Sequence, residues 1–370
     1  MLKIGIAGGG PGSMIGDVHR ITAEATGKAK LVCGALSSDY NKSLTKGKEI
    51  GLKENRIYRS VDEMIDEESK LPAGERMDFL IIATPNHLHV PAAIKALENG
   101  YHVMCDKPLG MSLEEAKRVE EIVTRTKLKF GMSYTYRGFT AIEEIKKIIS
   151  NGTIGGIRKV MIQYSQGWLS ELFEQAEEKK SGLWRTDPKF SGAGGTIADI
   201  GTHAFNTVEY VTGLNVEELC AQVSILVSGR NIDDDTNILM KFSNGASGTL
   251  SVSQVCTGEG NALNMKIYGE KGAILWDLDQ SKKIILKLAE SEKNIEVNEL
   301  DVDLNVVANE LVDLHSESIL KGFINIYSDF IDSITTKKNT GVPDIEDGVR
   351  GMLFIEKALE SSRDKKWVKL

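Results

Sequence analysis

Residues 6–16 of the chain read Ile6-Ala7-Gly8-Gly9-Gly10-Pro11-Gly12-Ser13-Met14-Ile15-Gly16, a glycine-rich loop between an apolar β-type run and a helical segment. Glycines at such a junction allow the backbone to approach a pyrophosphate group closely. The spacing is not a strict GxGxxG pattern, because Ser13 stands at the third position and Gly12 and Gly16 indicate a longer loop. Taken alone, the loop leaves two interpretations open: a dinucleotide-binding fingerprint, or an ordinary glycine-rich turn.

The residues that follow place this loop in a larger pattern. Up to about residue 130, apolar β-type runs alternate with amphipathic helical segments, as in βαβ units on a parallel sheet. One helix begins with a capping-box signature, Ser112 followed by Glu115. Strands are predicted over Lys3–Ala7, Lys30–Leu36, Asp78–Ala83, His102–Cys105 and Lys129–Met132. Residues 1–132 are therefore predicted to form a dinucleotide-binding Rossmann domain.

After Ser133 the pattern changes to long alternating runs separated by glycine turns, which indicate a large, mostly antiparallel open sheet. Strands are predicted over Val160–Gln166, Leu219–Val227, Thr236–Phe242, Gly248–Gln254 and Asn264–Tyr268. Helices are predicted over 141–150, 318–335 and 345–362, and the charged run 177–180 is most simply a solvated helix face. Residues 133–370 are thus predicted to form a second α/β domain for substrate binding, and the fold class is α/β.

Composition and charge agree with two domains and exclude several classes of protein. The 370 residues exceed what one hydrophobic core usually organises, and the 41% hydrophobic and 26% charged residues are ordinary for a globular protein without a membrane span. The 45 Lys and Arg against 53 Asp and Glu give a net charge of −8, which offers no general attraction for nucleic acid or an anionic membrane. A neutral small-molecule substrate suits this balance.

Neither a disulfide framework nor a zinc cluster is expected, because the cysteines show no CxxC spacing. They are Cys33, Cys105, Cys220 and Cys256. The N-terminus runs directly into a strand and leaves no room for a signal peptide, so a cytoplasmic location is expected. The pair His87-x-His89 has no third metal ligand nearby, and a helix-capping cluster is the simpler interpretation of His89. No metal site is predicted.

Cofactor contacts are predicted at the carboxyl ends of the first-domain strands, where open α/β sheets bind ligands. Ser37 and Ser38, after the second strand, suit either a free ribose hydroxyl or a phosphate, and Lys42 can neutralise the latter. NAD is favoured because residues 35–41 contain no arginine, while NADP stays open. The predicted cofactor contacts are Gly8, Gly10, Pro11, Gly12, Ser13, Met14, Ser37, Ser38, Thr84, Asn86 and His87.

Two further motifs carry groups suited to acting on a hydroxyl group. Lys107, in Asp106-Lys107-Pro108, directly follows a strand, so its ammonium group projects from the same sheet edge and can hydrogen-bond a substrate oxygen. Asp199 and His203 are four residues apart in a segment that opens a helix, and they share one face. A histidine can accept a proton from an alcohol near neutral pH. A solvated surface lysine and a structural Asp–His pair are the alternatives.

Taken in order, four motifs resemble the Gfo/Idh/MocA family of oxidoreductases over essentially the whole chain: the glycine loop, TPNHLH at 84–89, DKP at 106–108 and DIGTH at 199–203. The resemblance implies a Rossmann domain followed by an α/β domain with a large, mostly antiparallel sheet, through which subunits associate as dimers or tetramers. It also implies that Lys107, Asp199 and His203 form the catalytic trio. His203 would be the acid/base, and Lys107 would bind the substrate oxygen and contact the cofactor.

Further segments resemble one branch of that family, which oxidises a ring hydroxyl of glucosides, anhydrosugars and cyclic polyols, such as the one at C3, to a ketone. They are residues 8–20, YSQGWL at 164–169, LWRTDP at 183–188, GRNIDDD at 229–235 and SQV at 253–255. Beside the trio, the resemblance implies that the substrate is lined by Tyr134, Tyr136, Trp168 and Arg185, with Trp184 and Arg185 as further cofactor contacts. The acidic run 233–235 is expected to be a turn with capping roles rather than a metal site.

The expected function is NAD(P)-dependent oxidation of a sugar, glycoside or cyclic polyol by a cytoplasmic homo-oligomer. His203 would remove the hydroxyl proton while Lys107 stabilises the developing alkoxide. Two alternatives stay open: an enzyme with tightly bound NAD(H) that cycles between two sugars, and a non-catalytic dinucleotide-sensing protein.

Overall fold

A computed structural model gives the fold and describes residues 1–175, 183–298, 311, 316–336 and 340–370, so the charged run 177–180 lies outside it. The strands are β1 (Leu2–Gly8), β2 (Ala29–Ala35), β3 (Phe79–Ala83), β4 (His102–Cys105), β5 (Phe130–Met132), β6 (Ile157–Ser165), β7 (Val216–Ser224), β8 (Asp235–Phe242), β9 (Ser247–Ser253), β10 (Ala262–Gly269), β11 (Gly272–Asp277), β12 (Lys283–Leu288), β13 (Ser291–Glu296) and β14 (Val368–Lys369). The helices are α1 (Met14–Ala25), α2 (Tyr40–Glu49), α3 (Val61–Lys70), α4 (His89–Glu98), α5 (Leu113–Thr126), α6 (Thr140–Ser150), α7 (Pro188–Ser191), α8 (Thr202–Thr212), α9 (Glu317–Thr336) and α10 (Ile345–Asp364).

The chain divides into two compact units, the first comprising residues 1–138 and 301–349 and the second residues 139–300 and 350–370. In the first unit, the described strands form a parallel sheet in the order β2-β1-β3-β4-β5. The strand order reverses at β1, which pairs with both β2 and β3, and such a switch point is where open α/β sheets bind ligands. The predicted Rossmann domain is confirmed in fold.

The register of this parallel sheet brings the predicted motifs to one edge. Gly8 pairs with Ala83, and Cys105 pairs with both Ile82 and Met132. The glycine loop, the TPN segment, Lys107 and the residues after β5 therefore follow neighbouring strands at their carboxyl ends.

Helix α9 supplies part of the first unit's core. Its apolar stripe includes Phe323, Tyr327 and Phe330, and these side chains are buried in one cluster with Ile4 and Phe79 of the parallel sheet. The ring centroids of Phe79 and Phe330 are 5.4 Å apart in an edge-on arrangement. Burying one such side chain contributes about 1.5–3 kcal/mol, so the stripe is explained by packing rather than by a binding site.

In the second unit, the described strands form a sheet in the order β13-β12-β11-β10-β6-β9-β8-β7-β14. Only the β6–β9 pair is parallel among the strand pairs described there, so the predicted mostly antiparallel sheet is confirmed. Val160, Ile162 and Tyr164 of β6 are buried, while Met161 and Gln163 are exposed on the opposite face. The alternation that predicted the strand thus gives the sheet one covered face.

Candidate active site

The glycine loop is closed tightly by glycines at its two ends. Gly8 has φ +92, and a Cβ atom there would lie 2.4 Å from the carbonyl oxygen of Ala83. A Cβ atom on Gly16 would lie 2.2 Å from the Cα atom of Gly9. Gly16 therefore provides the close packing between loop and helix that a third fingerprint glycine provides, although the spacing is longer. Ser13 is the N-cap of α1, and its hydroxyl accepts a hydrogen bond from the Gly16 N–H at 3.4 Å.

The end of β2 presents two serines and a capping aspartate. The Asp39 carboxylate accepts hydrogen bonds from the N–H groups of Asn41 and Lys42, at 2.9 and 3.3 Å, and so begins α2. Ser37 Oγ accepts a hydrogen bond from the Asp39 N–H at 3.1 Å, and Ser38 is exposed. The acidic side chain at this strand end is thus engaged in capping the helix, and the two serines are the polar groups nearest the strand.

The TPNHLH segment follows β3 and is tied to the loop that carries Lys107. His89 is fully buried, and its two ring nitrogens lie 2.8 Å from the carbonyl oxygens of Thr84 and Pro108. Burial lowers the pKa of His89, and the charge of the Asp106 carboxylate opposes that effect. This histidine is therefore explained as a buried link between two loops and not as the helix cap that the sequence predicts, since α4 begins at His89 without a side-chain cap. Asn86 is 5% exposed at the same edge of the sheet.

Lys107 is half-buried directly after β4, and the peptide bond between Lys107 and Pro108 is cis. The Lys107 backbone N–H donates to Asp106 Oδ1 at 2.9 Å, and the Ser133 hydroxyl, at the end of β5, donates to the same oxygen. Asp106 is itself buried, with 7% of its surface exposed. The backbone that carries Lys107 is therefore anchored on a buried carboxylate.

A buried polar chain continues from Asp106 into the helices. His19 Nε2 of α1 lies 3.6 Å from Asp106 Oδ1, and His19 Nδ1 is 2.5 Å from the Tyr327 hydroxyl of α9. Burial alone would raise the pKa of Asp106, but the neighbouring His19 ring, the Lys107 ammonium group and the hydrogen bond from the Ser133 hydroxyl hold it well below its usual range. Asp106 is thus held as a carboxylate beside the Lys107 ammonium group.

In the second unit, Asp199 and His203 lie on a segment that starts with a π-helical turn. The turn covers Ile197–Gly201 and runs into α8, whereas the sequence predicts an ordinary helix start. Asp233 caps this segment from a distant loop: its Oδ1 accepts from the Gly195 N–H at 2.5 Å and its Oδ2 from the Ile197 N–H at 2.8 Å. Burial raises the pKa of Asp233 to about 6, although these two hydrogen bonds act to lower it. Wide turns of this kind are frequent at functional sites.

The acidic run 233–235 contributes hydrogen bonds, as predicted. Beside the Asp233 cap, Asp234 accepts from the N–H groups of Leu226 and Val227, at 2.7 and 3.0 Å. Its Oδ2 also lies 2.9 Å from the buried Arg230 guanidinium. The capping interpretation is therefore confirmed for these two aspartates.

The Asp199 carboxylate is held from two sides within the second unit. Its Oδ2 accepts a hydrogen bond from Gln254 Nε2 at 2.7 Å, and its Oδ1 lies 3.7 Å from Arg185 Nε. The Arg185 guanidinium stacks over the Trp184 ring, 4.6 Å from its centroid. Two predicted site residues, Trp184 and Arg185, thus lie together with Asp199.

Trp168 is half-buried, and its indole N–H donates to Gln166 Oε1 at 3.1 Å. Gln166 and Gln254 are absent from the residues that the sequence predicts for the site, although both stand in segments that carry the resemblance. The sequence feature that could have identified them is the amide side chain. A polar side chain at the end of a strand, beside an aromatic residue, is a candidate for orienting a ligand. The tyrosines Tyr134 and Tyr136, in the first unit, are 2% and 4% exposed.

Within the described ranges, no group of three or more His, Cys, Asp or Glu side chains is placed to hold a metal ion. In the same residues, no helix combines the length and apolar character needed to cross a bilayer.

The first unit fits a dinucleotide. Only glycine is accommodated at residues 8 and 16 without a clash against backbone atoms, and α1 presents its N-terminus directly after the loop. Backbone N–H groups at a helix N-terminus favour phosphate groups. Asn86 offers a buried amide at the neighbouring strand end, where a nicotinamide or its ribose needs hydrogen-bond partners.

Two family models match the chain. An oxidoreductase family with an NAD-binding Rossmann fold matches residues 2–134, and the GFO/IDH/MocA C-terminal domain matches residues 142–275.

Similar proteins cover much or all of the chain. The oxidoreductase YfiI of Bacillus subtilis is 28% identical over 98% of this chain and 94% of its own length. The levoglucosan dehydrogenase of Pseudarthrobacter phenanthrenivorans is 27% identical over 57% of this chain and 58% of its own. The glucose-6-phosphate 3-dehydrogenase of Bacillus subtilis is 25% identical, and the match covers 73% of each chain.

Solved structures match the whole chain. An oxidoreductase from Sinorhizobium meliloti has a TM-score of 0.84 and 33% identity, covering 100% of this chain and 99% of that one. An inositol dehydrogenase homolog from Azotobacter vinelandii, complexed with NAD⁺, has a TM-score of 0.89 and 26% identity, covering 100% of this chain and 97% of that one.

Proposed function

Because the chain belongs to the GFO/IDH/MocA family of NAD-dependent oxidoreductases, we propose that it oxidises a ring secondary hydroxyl of a sugar, glycoside or cyclic polyol to a ketone. The observation that carries this proposal is the position of Lys107, which follows a strand at the same carboxyl edge as the glycine loop and is anchored on buried Asp106. A cation held at that edge suits a hydroxyl group that acquires negative charge as it is oxidised.

NAD is held by the glycine loop and the α1 N-terminus at its phosphates, by Ser37 and Ser38 at a ribose, and by Thr84, Asn86 and His87 at its nicotinamide end. When bound, it supplies the hydride acceptor for the carbon that bears the substrate hydroxyl. Trp184 and Arg185 are further cofactor contacts in this proposal.

Lys107 donates a hydrogen bond from its ammonium group to the substrate oxygen and stabilises the alkoxide that develops there. Its role depends on a fixed backbone, and the hydrogen bond from the Lys107 N–H to Asp106 supplies that support. In this proposal Lys107 acts as a hydrogen-bond donor and electrostatic stabiliser of the substrate oxygen, and His203 acts as the base.

His203 accepts the hydroxyl proton on a ring nitrogen, a step that contributes typically about 10²–10⁴-fold to a rate. Asp199, four residues earlier on the capped segment, orients that imidazole or holds a neighbouring substrate hydroxyl. The ring face of Trp168 is proposed to line the CH-rich face of the sugar, whereas the near-complete burial of Tyr134 and Tyr136 favours packing over the substrate contact that the resemblance implies for them.

The substrate class is supported by the relatives, since levoglucosan and glucose 6-phosphate are both cyclic polyhydroxylated compounds. Oxidation at C3 is the specific form that we propose, because one of the similar proteins is a glucose-6-phosphate 3-dehydrogenase.

We further propose that the enzyme is a cytoplasmic homo-oligomer that associates through the exposed face of the large sheet. Met161 and Leu239 both lie opposite Thr249 in the sheet register and are 38% and 51% exposed. Exposed apolar side chains on one sheet face are suited to contact between subunits. Light scattering of the purified protein tests this association, and a monomer would contradict it.

A reduction screen tests the proposed function. NAD⁺ and NADP⁺ are each incubated with the protein and with glucosides, free hexoses, levoglucosan or inositols, and reduced nicotinamide is followed by absorbance. We expect reduction of NAD⁺ with at least one of these cyclic compounds and a discrete ketone product. Absence of reduction across the whole panel would contradict the proposal.

A further inference from the structure

A continuous chain of hydrogen bonds runs through the second unit from an aromatic side chain to the Asp199 carboxylate. Trp168 Nε1 donates to Gln166 Oε1 at 3.1 Å, and Gln254 Nε2 donates to the same Gln166 oxygen at 2.9 Å. Gln254 Nε2 also donates to Asp199 Oδ2 at 2.7 Å. Gln166 follows β6 and Gln254 follows β9, which pair in parallel, so the two amides lie side by side at one end of the sheet.

The orientation of the Gln254 amide is determined by its neighbours. Its oxygen accepts a hydrogen bond from the Thr196 hydroxyl at 2.8 Å, and its backbone N–H donates to the Asp234 carbonyl at 2.9 Å. An ionised carboxylate can only accept, so the amide nitrogen must face Asp199, and its two hydrogens are then both used, on Asp199 and on Gln166. Gln254 is 1% exposed, so water does not offer an alternative set of partners.

This arrangement indicates a role for Gln254, a side chain that takes no direct part in the proposed reaction. Gln254 holds Oδ2 of Asp199, which leaves Oδ1 on the side of Arg185, 3.7 Å away. The π-helical turn that carries Asp199 is capped separately by Asp233, so the backbone is already fixed and the glutamine acts on the side chain. A carboxylate held in one rotamer serves catalysis better than a mobile one.

On the basis of the proposed function, we propose that Gln254 is a positioning residue for Asp199, and that Gln166 extends this support to Trp168. Gln254 does not touch the substrate in this proposal. It fixes the direction of the Asp199 carboxylate, while Gln166 fixes the plane of the indole ring that lines the sugar. The segments YSQGWL and SQV thereby act together, although neither contains a predicted catalytic residue.

The variant Gln254→Glu separates this role from simple space filling, because it keeps the shape of the side chain. A protonated Glu can donate to Asp199, whereas an ionised Glu places a second negative charge beside it. Among the described residues, the charged groups near Asp199 include Arg185, 3.7 Å from its Oδ1, and the buried Asp233, which caps the same turn. His203 follows four residues later on the same segment, and all three groups remain in the variant. Gln280→Glu, at an exposed position after β11 and outside the strands of the sheet, is the matched control.

We expect kcat of Gln254→Glu, relative to wild type, to be highest where the new Glu is protonated and to fall about 10- to 100-fold as it ionises, the size of a lost hydrogen bond to a charged group. Burial and the neighbouring Asp199 carboxylate both raise the pKa of this Glu, so the profile is followed from about pH 5 to about pH 10. The KM for NAD⁺ should stay unchanged. Gln254→Leu should lose kcat by a similar factor at every pH, and the Gln280→Glu ratio should stay near one. A Gln254→Glu ratio that does not vary with pH would overturn the positioning role.

A second measurement does not depend on turnover. Thermal midpoints of wild type, Gln254→Leu, Asp199→Ala and the double variant form a double-mutant cycle, because each single variant removes one partner of the hydrogen bond. Non-additive midpoints are expected, because the two side chains share a hydrogen bond. Additive midpoints would overturn the proposal, whatever the activity. Non-additive midpoints in a protein that reduces NAD⁺ with no cyclic polyol would instead overturn the proposed function and leave the Gln254–Asp199 contact established.

Discussion

The Cα atom of Gly9 occupies the space that a side chain at Gly16 would need, since a Cβ atom on Gly16 would lie 2.2 Å from it. The loop after β1 and the first turn of α1 are therefore in backbone contact. This contact explains how a loop longer than the strict GxGxxG pattern still brings a helix N-terminus to the end of the strand.

Gly16→Ala should destabilise the first unit by about 1–3 kcal/mol, because the methyl group must displace backbone atoms. NAD⁺ binding should weaken with it, since the loop is pushed away from the helix. Thermal denaturation and a fluorescence titration with NAD⁺ measure the two effects. Gly74→Ala is the control, because a Cβ atom there meets nothing within 4 Å. Alanine normally stabilises a helix relative to glycine, so a more stable Gly16→Ala protein would contradict the packing.

Asp106→Asn should cost about 2 kcal/mol of stability near pH 7, because a buried charge-assisted hydrogen-bond network loses its anion. The folded pKa of Asp106 is depressed, so its contribution is present above the unfolded value of about 4 and is lost as the pH falls below it. The difference in melting temperature between wild type and variant should therefore shrink from about pH 7 to about pH 3. Asp62→Asn, at an exposed carboxylate, is the control. A difference that grows on acidification would contradict the ionised Asp106.

His203→Gln should lower kcat/KM by about 10²–10⁴-fold, since glutamine cannot accept the hydroxyl proton. In the wild type, protonation of the imidazole at low pH removes the base, so kcat/KM should fall on the acidic side of the profile. The variant should lack this acidic limb over the same pH range. Retention of the limb in His203→Gln would assign it to another group.

Much of the architecture could be predicted from the sequence, because buried strands and amphipathic helices have strong local patterns. His102–Cys105 is a strand over the predicted residues, and Ser112 caps α5 by accepting from the Glu115 N–H at 3.2 Å. Strand β13 has no such pattern, since most of its Ser291–Glu296 residues are exposed, and it is held by pairing with β12. Helix α2 is also mostly polar, so no apolar stripe in the sequence indicates where it begins and ends.

The sequence could predict only those site residues that stand in a recognisable motif. Lys107 is recognisable because it directly follows a buried strand. Capping by Asp233 could be predicted, but its partner and the Gln254 contact could not, because they join Gly195 to a residue 38 positions away and Asp199 to one 55 positions away. The π-helical turn depends on that same distant cap. The near-complete burial of Tyr134 and Tyr136 could not be predicted either, because no local sequence pattern indicates it.

The measurement that bears most directly on the catalytic role of Lys107 is steady-state oxidation by Lys107→Met, using the best substrate from the screen. We predict a loss in kcat of about 10²–10³-fold, with the Kd for NAD⁺ unchanged, because methionine replaces the unbranched aliphatic part of the lysine side chain and removes the charge that stabilises the alkoxide. Lys117→Met, at an exposed position of α5, should behave as wild type. Wild-type turnover in Lys107→Met would contradict the proposed chemistry.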